Sequence, residues 1–294
     1  MRKIISNSRK LIAIILAMAT VLCLCACGSS KGTLLKAAAA MKDVKSCTYD
    51  MDMEIDMTAL GMDASVAVKG SADVPENRDV LKLNMNVGLG GDGTDMEIYI
   101  ENNGDEATVY SNAQAMLFKD VWLKRTMALS AAENEYFKFD GISTFKKYLE
   151  LADKMEAKGE ESIDGTAYLR FDMTLSGEEM AELVKDTNIL SMLQSFNTSG
   201  EDILTILPEM GSIQASVWID QDSKIPTIIK VNMTEVVSNI LARVAQGNSA
   251  PTVENAVVNM KITNINAVEP IEIPAEIKNS ALDAENLLNG LMGG

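Results

Sequence analysis

Tyr49-Asp50-Met51-Asp52-Met53-Glu54-Ile55-Asp56-Met57 alternates apolar and acidic side chains without a break. Successive side chains of an extended strand point to opposite faces, so Tyr49, Met51, Met53, Ile55 and Met57 share one face and the four acids share the other. This is the pattern of an antiparallel strand with one face turned to a core and one to water. Asp50, Asp52, Glu54 and Asp56 read as a solvated surface that resists edge-to-edge aggregation.

The period of two continues downstream. After a turn at Leu60-Gly61, Met62, Ala64, Val66, Val68, Ala72 and Val74 lead to a second turn at Pro75-Glu76-Asn77. Leu81, Leu83, Met85, Val87 and Leu89 mark a third strand and residues 88–93 a glycine-rich loop. Met96, Ile98 and Ile100 mark a fourth strand, residues 107–111 a fifth and residues 118–124 a sixth. Asn102-Asn103-Gly104-Asp105 suits a hairpin, and strands joined by such short polar turns make an antiparallel meander.

Upstream, Thr33 as N-cap followed by Leu34-Leu-Lys-Ala-Ala-Ala-Ala-Met-Lys42 predicts a short helix. Further along, Phe145, Tyr148, Leu149, Ala152 and Met155 recur at helical spacing and predict an amphipathic helix over 142–156. Residues 160–163 and 167–175 flank Asp164-Gly165 as a hairpin. Ser176-Gly-Glu-Glu179 is a capping box opening a helix, and residues 188–207 carry more helical pattern up to Pro208. Strands are expected at 212–219, 227–234 and 253–265, with a helix at 235–245. Residues 270–274 read as extended, and residues 279–294 as a C-terminal helix or tail. The class is α+β: an antiparallel sheet of about nine to eleven strands with several helices, because no strand-helix alternation demands a parallel sheet. No repeat or linker divides residues 33–278, which read as a single domain.

The front of the chain is of another kind. Met1-Arg-Lys-Ile-Ile-Ser-Asn-Ser-Arg-Lys10 is basic with no acid, and residues 11–24 are apolar, the n-region and h-region of a secretory signal. The run is too short for a permanent span, which needs roughly 20 residues. It ends in Leu24-Cys25-Ala26-Cys27-Gly28, which resembles the bacterial lipobox. Residues 1–26 are then a lipoprotein signal peptide, Cys27 the acylated residue, and residues 27–32 the start of the mature chain and a short tether. The expected anchors are diacylglycerol and further acyl chains such as palmitate, because two or three chains hold firmly where one does not. The alternative is an ordinary signal cut near Ala26 that releases a soluble protein. With the lipobox, the place is extracytoplasmic, on the outer face of the cytoplasmic membrane, and a tether reaching ~15 to 20 Å keeps the domain near lipid.

Removing residues 1–26 leaves 268 residues and moves the formal charge from −16 to −20. So acidic a domain repels phosphate backbones, and no nucleic-acid partner is expected. Cys47 is the sole thiol left beyond Cys27, so no internal disulfide forms and a buried, inert role is expected for it. The chain has no histidine, which removes the commonest general base and the commonest zinc ligand. Neither a phosphate-binding glycine loop nor a nucleophile elbow is present, so no enzyme, cofactor or metal is expected. Asp220-Gln-Asp-Ser-Lys224 lacks the spacing of a calcium loop and reads as a hairpin turn. Trp122 and Trp218 are expected to pack in the sheet or at its rim.

The lipobox, Ser46-Cys-Thr-Tyr-Asp-Met-Asp-Met-Glu-Ile55, Gly159-Glu-Glu-Ser-Ile-Asp-Gly165, Tyr168-Leu-Arg-Phe171, Val217-Trp-Ile-Asp-Gln-Asp-Ser-Lys-Ile-Pro-Thr227 and Val268-Glu-Pro-Ile-Glu-Ile-Pro274 together resemble lipoproteins of the LolA/LolB and LppX/LprG type, and uncharacterised Firmicutes lipoproteins similar to them. The resemblance implies a strongly curved antiparallel half-barrel wrapping around helices, and a lipid or acyl-chain ligand in the hollow. The 19 methionines fit that implication, since a flexible, polarizable side chain suits a cavity for varied apolar shapes. The expected wall residues are Tyr49, Met51, Met53, Ile55, Val66, Val68, Leu83 and Met85. Two readings stay open: a monomeric, membrane-tethered binder of a hydrophobic ligand, and a structural or interaction lipoprotein with a filled core that docks envelope partners through its acidic face. Paired carboxylates leave a hydrolase as a third.

Overall fold

The computed structural model describes residues 30–59, 61–90, 93–112, 121–128, 154–186, 204–244 and 250–284. The alternating segment is a long strand, β1 (Cys47–Ala59), which pairs along its whole length with β2 (Met62–Val74) through a turn where Gly61 takes φ 75°. The meander continues through β3 (Val80–Leu89), β4 (Thr94–Asn102), β5 (Glu106–Ser111) and β6 (Leu123–Ala128). A second meander runs through β7 (Lys154–Ile163), β8 (Thr166–Ser176), β9 (Ser212–Asp220), β10 (Pro226–Asn232) and β11 (Thr252–Thr263). The two are zipped together where β11 pairs antiparallel with β1. A final pair of residues, β12 (Leu282–Asp283), lies parallel to β6 at the edge. The result among the described residues is one curved, unclosed, mixed sheet of 12 strands in the order β12-β6-β5-β4-β3-β2-β1-β11-β10-β9-β8-β7.

Register makes one face of this sheet apolar. Directly opposed residues share a face, and the pairs place Met155, Met173, Ala215, Val231, Val258, Met53, Val68 and Val87 in one row across eight strands. Helix α1 (Ser30–Ala40) lies on that face, burying Leu34, Ala37 and Ala38 against Phe171, Met173, Ala215, Val217 and Ile219. Leu175 on the same face anchors a second cluster with Met180 of α2 (Gly177–Asp186), Met210 after the 3-10 turn Leu207–Glu209, and Val236 of α3 (Thr234–Val244). Ser176 and Glu179 cap α2 reciprocally: Ser176 N–H donates to the Glu179 carboxylate at 2.7 Å and Glu179 N–H donates to Ser176 Oγ at 3.3 Å.

The opposite face has its own cover. After β11 the chain crosses behind β3–β6 and forms a short helix, α4 (Ala275–Ser280). Ile273, Ile277 and Ala281 bury there against Val80, Tyr99 and Tyr110, with Trp122 and Ile271 at the margin. Tyr99 and Tyr110 pair with Lys82 and Lys124, so this cluster sits on the outer side, away from Met53 and Met85.

Several expectations shift. Thr33 lies inside α1 rather than capping it, because packing of Leu34, Ala37 and Ala38 holds a helix that is already wound at Ser30. Of the helix expected over 142–156, residues 142–153 lie outside the described residues, and Lys154 and Met155 belong to β7, where Met155 opposes Met173. Pairing with β8 overrides a helix-forming local sequence. Residues 118–120 also lie outside, and β6 starts only at Leu123, opposite Ser111, because β5 sets where it can pair. Thr234 begins α3 instead of ending a strand, its N–H bonded to the Asn232 side chain. Gly88 is strand, not loop. Residues 188–203 lie outside the described residues. Residues 279 and 280 finish α4 and residues 282 and 283 pair with β6; those from 285 onward lie outside.

Candidate functional site

The eight expected wall residues are brought together. Met53 opposes Val68, Ile55 opposes Val66, and Met51 and Met85 flank Gly70 from either side. Tyr49 and Leu83 likewise flank Ala72. All eight lie on the apolar face over β1–β3, and all are half-buried. The register extends the same field where sequence reasoning did not reach: Met260 opposes Met51 and Val258 opposes Met53 on β11. On β4, Met96 opposes Met85 and Ile98 opposes Leu83. Only the long-range pairing of β11 with β1 reveals the first two, and no local signal could have found them.

Five adjacent strands at their usual spacing make this field about 20 Å across, and the rise from Tyr49 to Ile55 makes it about 20 Å long. The charged side chains of these strands, Asp50, Asp52, Lys69 and Lys261 among them, point to the other face. The contrast with the flanking region is sharp, since Leu34, Leu175 and Val217 are fully buried while the Met-bearing rows are not. At the start of β1, burial pushes both the Cys47 thiol and the Tyr49 phenol above their ordinary pKa values. A protonated thiol that is 4% exposed is no nucleophile. What the surface can do chemically is remove apolar matter from water.

The outer face is polar and largely self-paired. Thr263 donates its hydroxyl to Asp50, Lys69 lies 3.5 Å from Asp52, and Asn255 donates to Asp56. Arg170 bonds Asp172 at 2.9 Å and lies over the Trp218 ring, whose Nε1 donates to Glu161 at 2.7 Å. Burial alone would raise the Glu97 carboxyl, but the Lys82 ammonium at 2.8 Å and the Tyr99 hydroxyl hold it below the usual carboxylate range. Asp220 Oδ1 accepts from the backbone N–H of Asp222 and Ser223, so residues 220–224 form a hairpin turn closed by its own carboxylate. Among the described residues no group of three or more acids, histidines or cysteines is placed to hold a metal. Nor is any helix among them long and apolar enough to cross a membrane. Cys27 lies outside the described residues.

Among curated proteins, none matches the chain. Solved structures do. The lipoprotein LppX of Mycobacterium tuberculosis is 14% identical, with 83% of this chain and 98% of that one covered at a TM-score of 0.42. LprF of Mycobacterium bovis is 11% identical, with 83% and 95% covered at a TM-score of 0.46. A domain of Vibrio parahaemolyticus assigned as an outer membrane lipoprotein-sorting protein is 12% identical, with 86% and 97% covered at a TM-score of 0.27. A family model covers residues 31–282, and by that match the chain belongs to DUF6612, a family of unknown function.

Proposed function

We propose that this chain is a non-enzymatic, lipid-anchored protein of the outer face of the cytoplasmic membrane, which holds an acyl chain or another hydrophobic ligand against the apolar face of its sheet. The observation that carries the reading is the half-buried field of Met51, Met53, Met85, Met96, Met260 and their aliphatic neighbours, free of charged side chains. Each methylene it removes from water is worth about 0.8 kcal/mol. The sheet curves around α1, α2 and α3 as a half-barrel, and these helices occupy one part of the apolar face while the β11–β4 part receives the ligand. The domain of residues 33–278 works as a monomer, tethered through Cys27. The rival reading, docking of partners through the acidic face, is less favoured because Asp50, Asp52 and Asp56 already have partners on that face.

Two measurements test the proposal. Native mass spectrometry of the full chain, extracted from membranes in mild detergent, is expected to find a lipid-sized mass beyond the covalent acyl groups. Only empty protein would overturn the ligand. Metabolic labelling with palmitate is expected to mark the wild type and not Cys27→Ser, and equal labelling of both would overturn the anchor.

A further inference from the structure

The outer face carries a groove of about 490 Å³ across β2, β3 and β4. Two pleat rows of polar side chains line it, Ser71, Asn84 and Glu97 in one and Lys69, Asn86 and Asp95 in the other, with Asn112 at the end and Gly70, Met85 and Met96 on the strands between them. Such a volume lies in the range of small-molecule sites. Its furniture is ordered. Asn86 donates to Asp95 at 2.7 Å, and Glu97 is held by Lys82 and Tyr99. Asn112 Oδ1 accepts from the Glu97 N–H at 2.6 Å, which leaves its NH2 free to donate. The Asn86 amide also lies so close over Gly93 that a Cβ there would meet Asn86 Oδ1 at 1.9 Å. The Ser71 hydroxyl and the Asn84 amide, by contrast, have no hydrogen-bond partner among the described residues, and both are half-buried in the groove.

The chemistry narrows the ligand. Lys69 is shared with Asp52, and Asp95 and Glu97 stand on the other wall, so an anion gains little here. A metal has no cluster of ligands to bind among the described residues. An apolar ligand would strip water from amides and give nothing back. What remains is a ligand whose groups both donate and accept, because amides and hydroxyls do the same. We propose that this groove is a binding site for a neutral, hydroxyl-rich ligand of the saccharide class, its polar side chains on the face opposite the apolar field.

Isothermal calorimetry on the full chain in zwitterionic detergent micelles tests this, with neutral hexose and N-acetylhexosamine oligosaccharides as probes. Binding of at least one probe is expected, and the double substitution Ser71→Ala with Asn84→Ala should weaken it by roughly tenfold. Gly93→Ala, which displaces the Asn86 amide, should weaken it too, while circular dichroism reports an unchanged fold. No heat with any probe, or unchanged affinity in the double variant, would overturn the proposal. Met53→Ala, on the other face, should leave saccharide binding intact.

Discussion

Met53→Ala and Leu175→Ala remove similar apolar side chains from the same face of the same sheet, yet the structure assigns them very different costs. Leu175 is 0% exposed and enclosed by Met180, Met210 and Val236, so its truncation leaves a cavity and should cost about 3 kcal/mol. Met53 is half-buried in the open field, and half of the value of a fully buried methionine is about 1 kcal/mol. Urea unfolding should therefore shift its midpoint by roughly 1.5 M for Leu175→Ala and about 0.5 M for Met53→Ala, taking a slope of about 2 kcal/mol/M. A fluorescent fatty acid, titrated into the same samples, should lose several-fold in affinity with Met53→Ala and little with Leu175→Ala. If Met53→Ala costs as much stability as Leu175→Ala and leaves the fatty acid binding untouched, the field is packed core and the ligand reading falls.

Ser176→Ala removes one arm of the capping box and should cost about 1 kcal/mol, read as a smaller urea midpoint with unchanged slope. Cys47 and Tyr49 both have folded-state pKa values raised by burial, so each contributes stability that is complete below its unfolded value and is lost as pH rises through the folded one. Melting temperature should decline on the alkaline side, from about pH 9 upward, and a Cys47→Ala, Tyr49→Phe chain should decline less; identical profiles would contradict the assignment. Ile277→Asp places a charge where a side chain is 6% exposed against Tyr99 and Tyr110. It should free the C-terminal segment and red-shift the emission of Trp122, whose ring lies 6.0 Å from Tyr99, and an unshifted spectrum would refute that packing.

The part of the sheet that was legible in the sequence is the part built from neighbours in sequence. From β1 to β5 each strand pairs with the next, and the alternation that begins at Tyr49 reports the face of each residue directly. That the expected wall residues share one face follows from the same alternation. At strand ends local pattern misled even between neighbours. Lys154 and Met155 carry helix-forming character but are held by β8, and β6 starts where β5 permits. Tyr99 and Tyr110 gave no hint that their outer face would be covered, because the cover arrives from Ile273 and Ile277. The outer groove was invisible for a related reason: its walls belong to three strands whose polar residues look individually like ordinary solvated positions.

The C-terminal crossing also meets the chain's beginning. Asn266 accepts from the Lys45 N–H at 2.7 Å, donates its own N–H to Ser46 O at 2.7 Å and its side-chain amide to Asp43 O at 3.3 Å, while Val268 N–H reaches Ser46 Oγ. These bonds clasp the stretch where the turn after α1 hands over to β1. If the chain is held at Cys27 as proposed, a pull from that end would travel down α1 into that clasp and then into the middle of the sheet, where β1 is bonded on both sides, to β2 and to β11. The ladders lie across the direction of β1, so they would share such a load in shear rather than open one at a time. Under the proposed anchor, a load applied at the membrane end would thus reach the middle of the sheet, at the seam of β1 with β2 and β11.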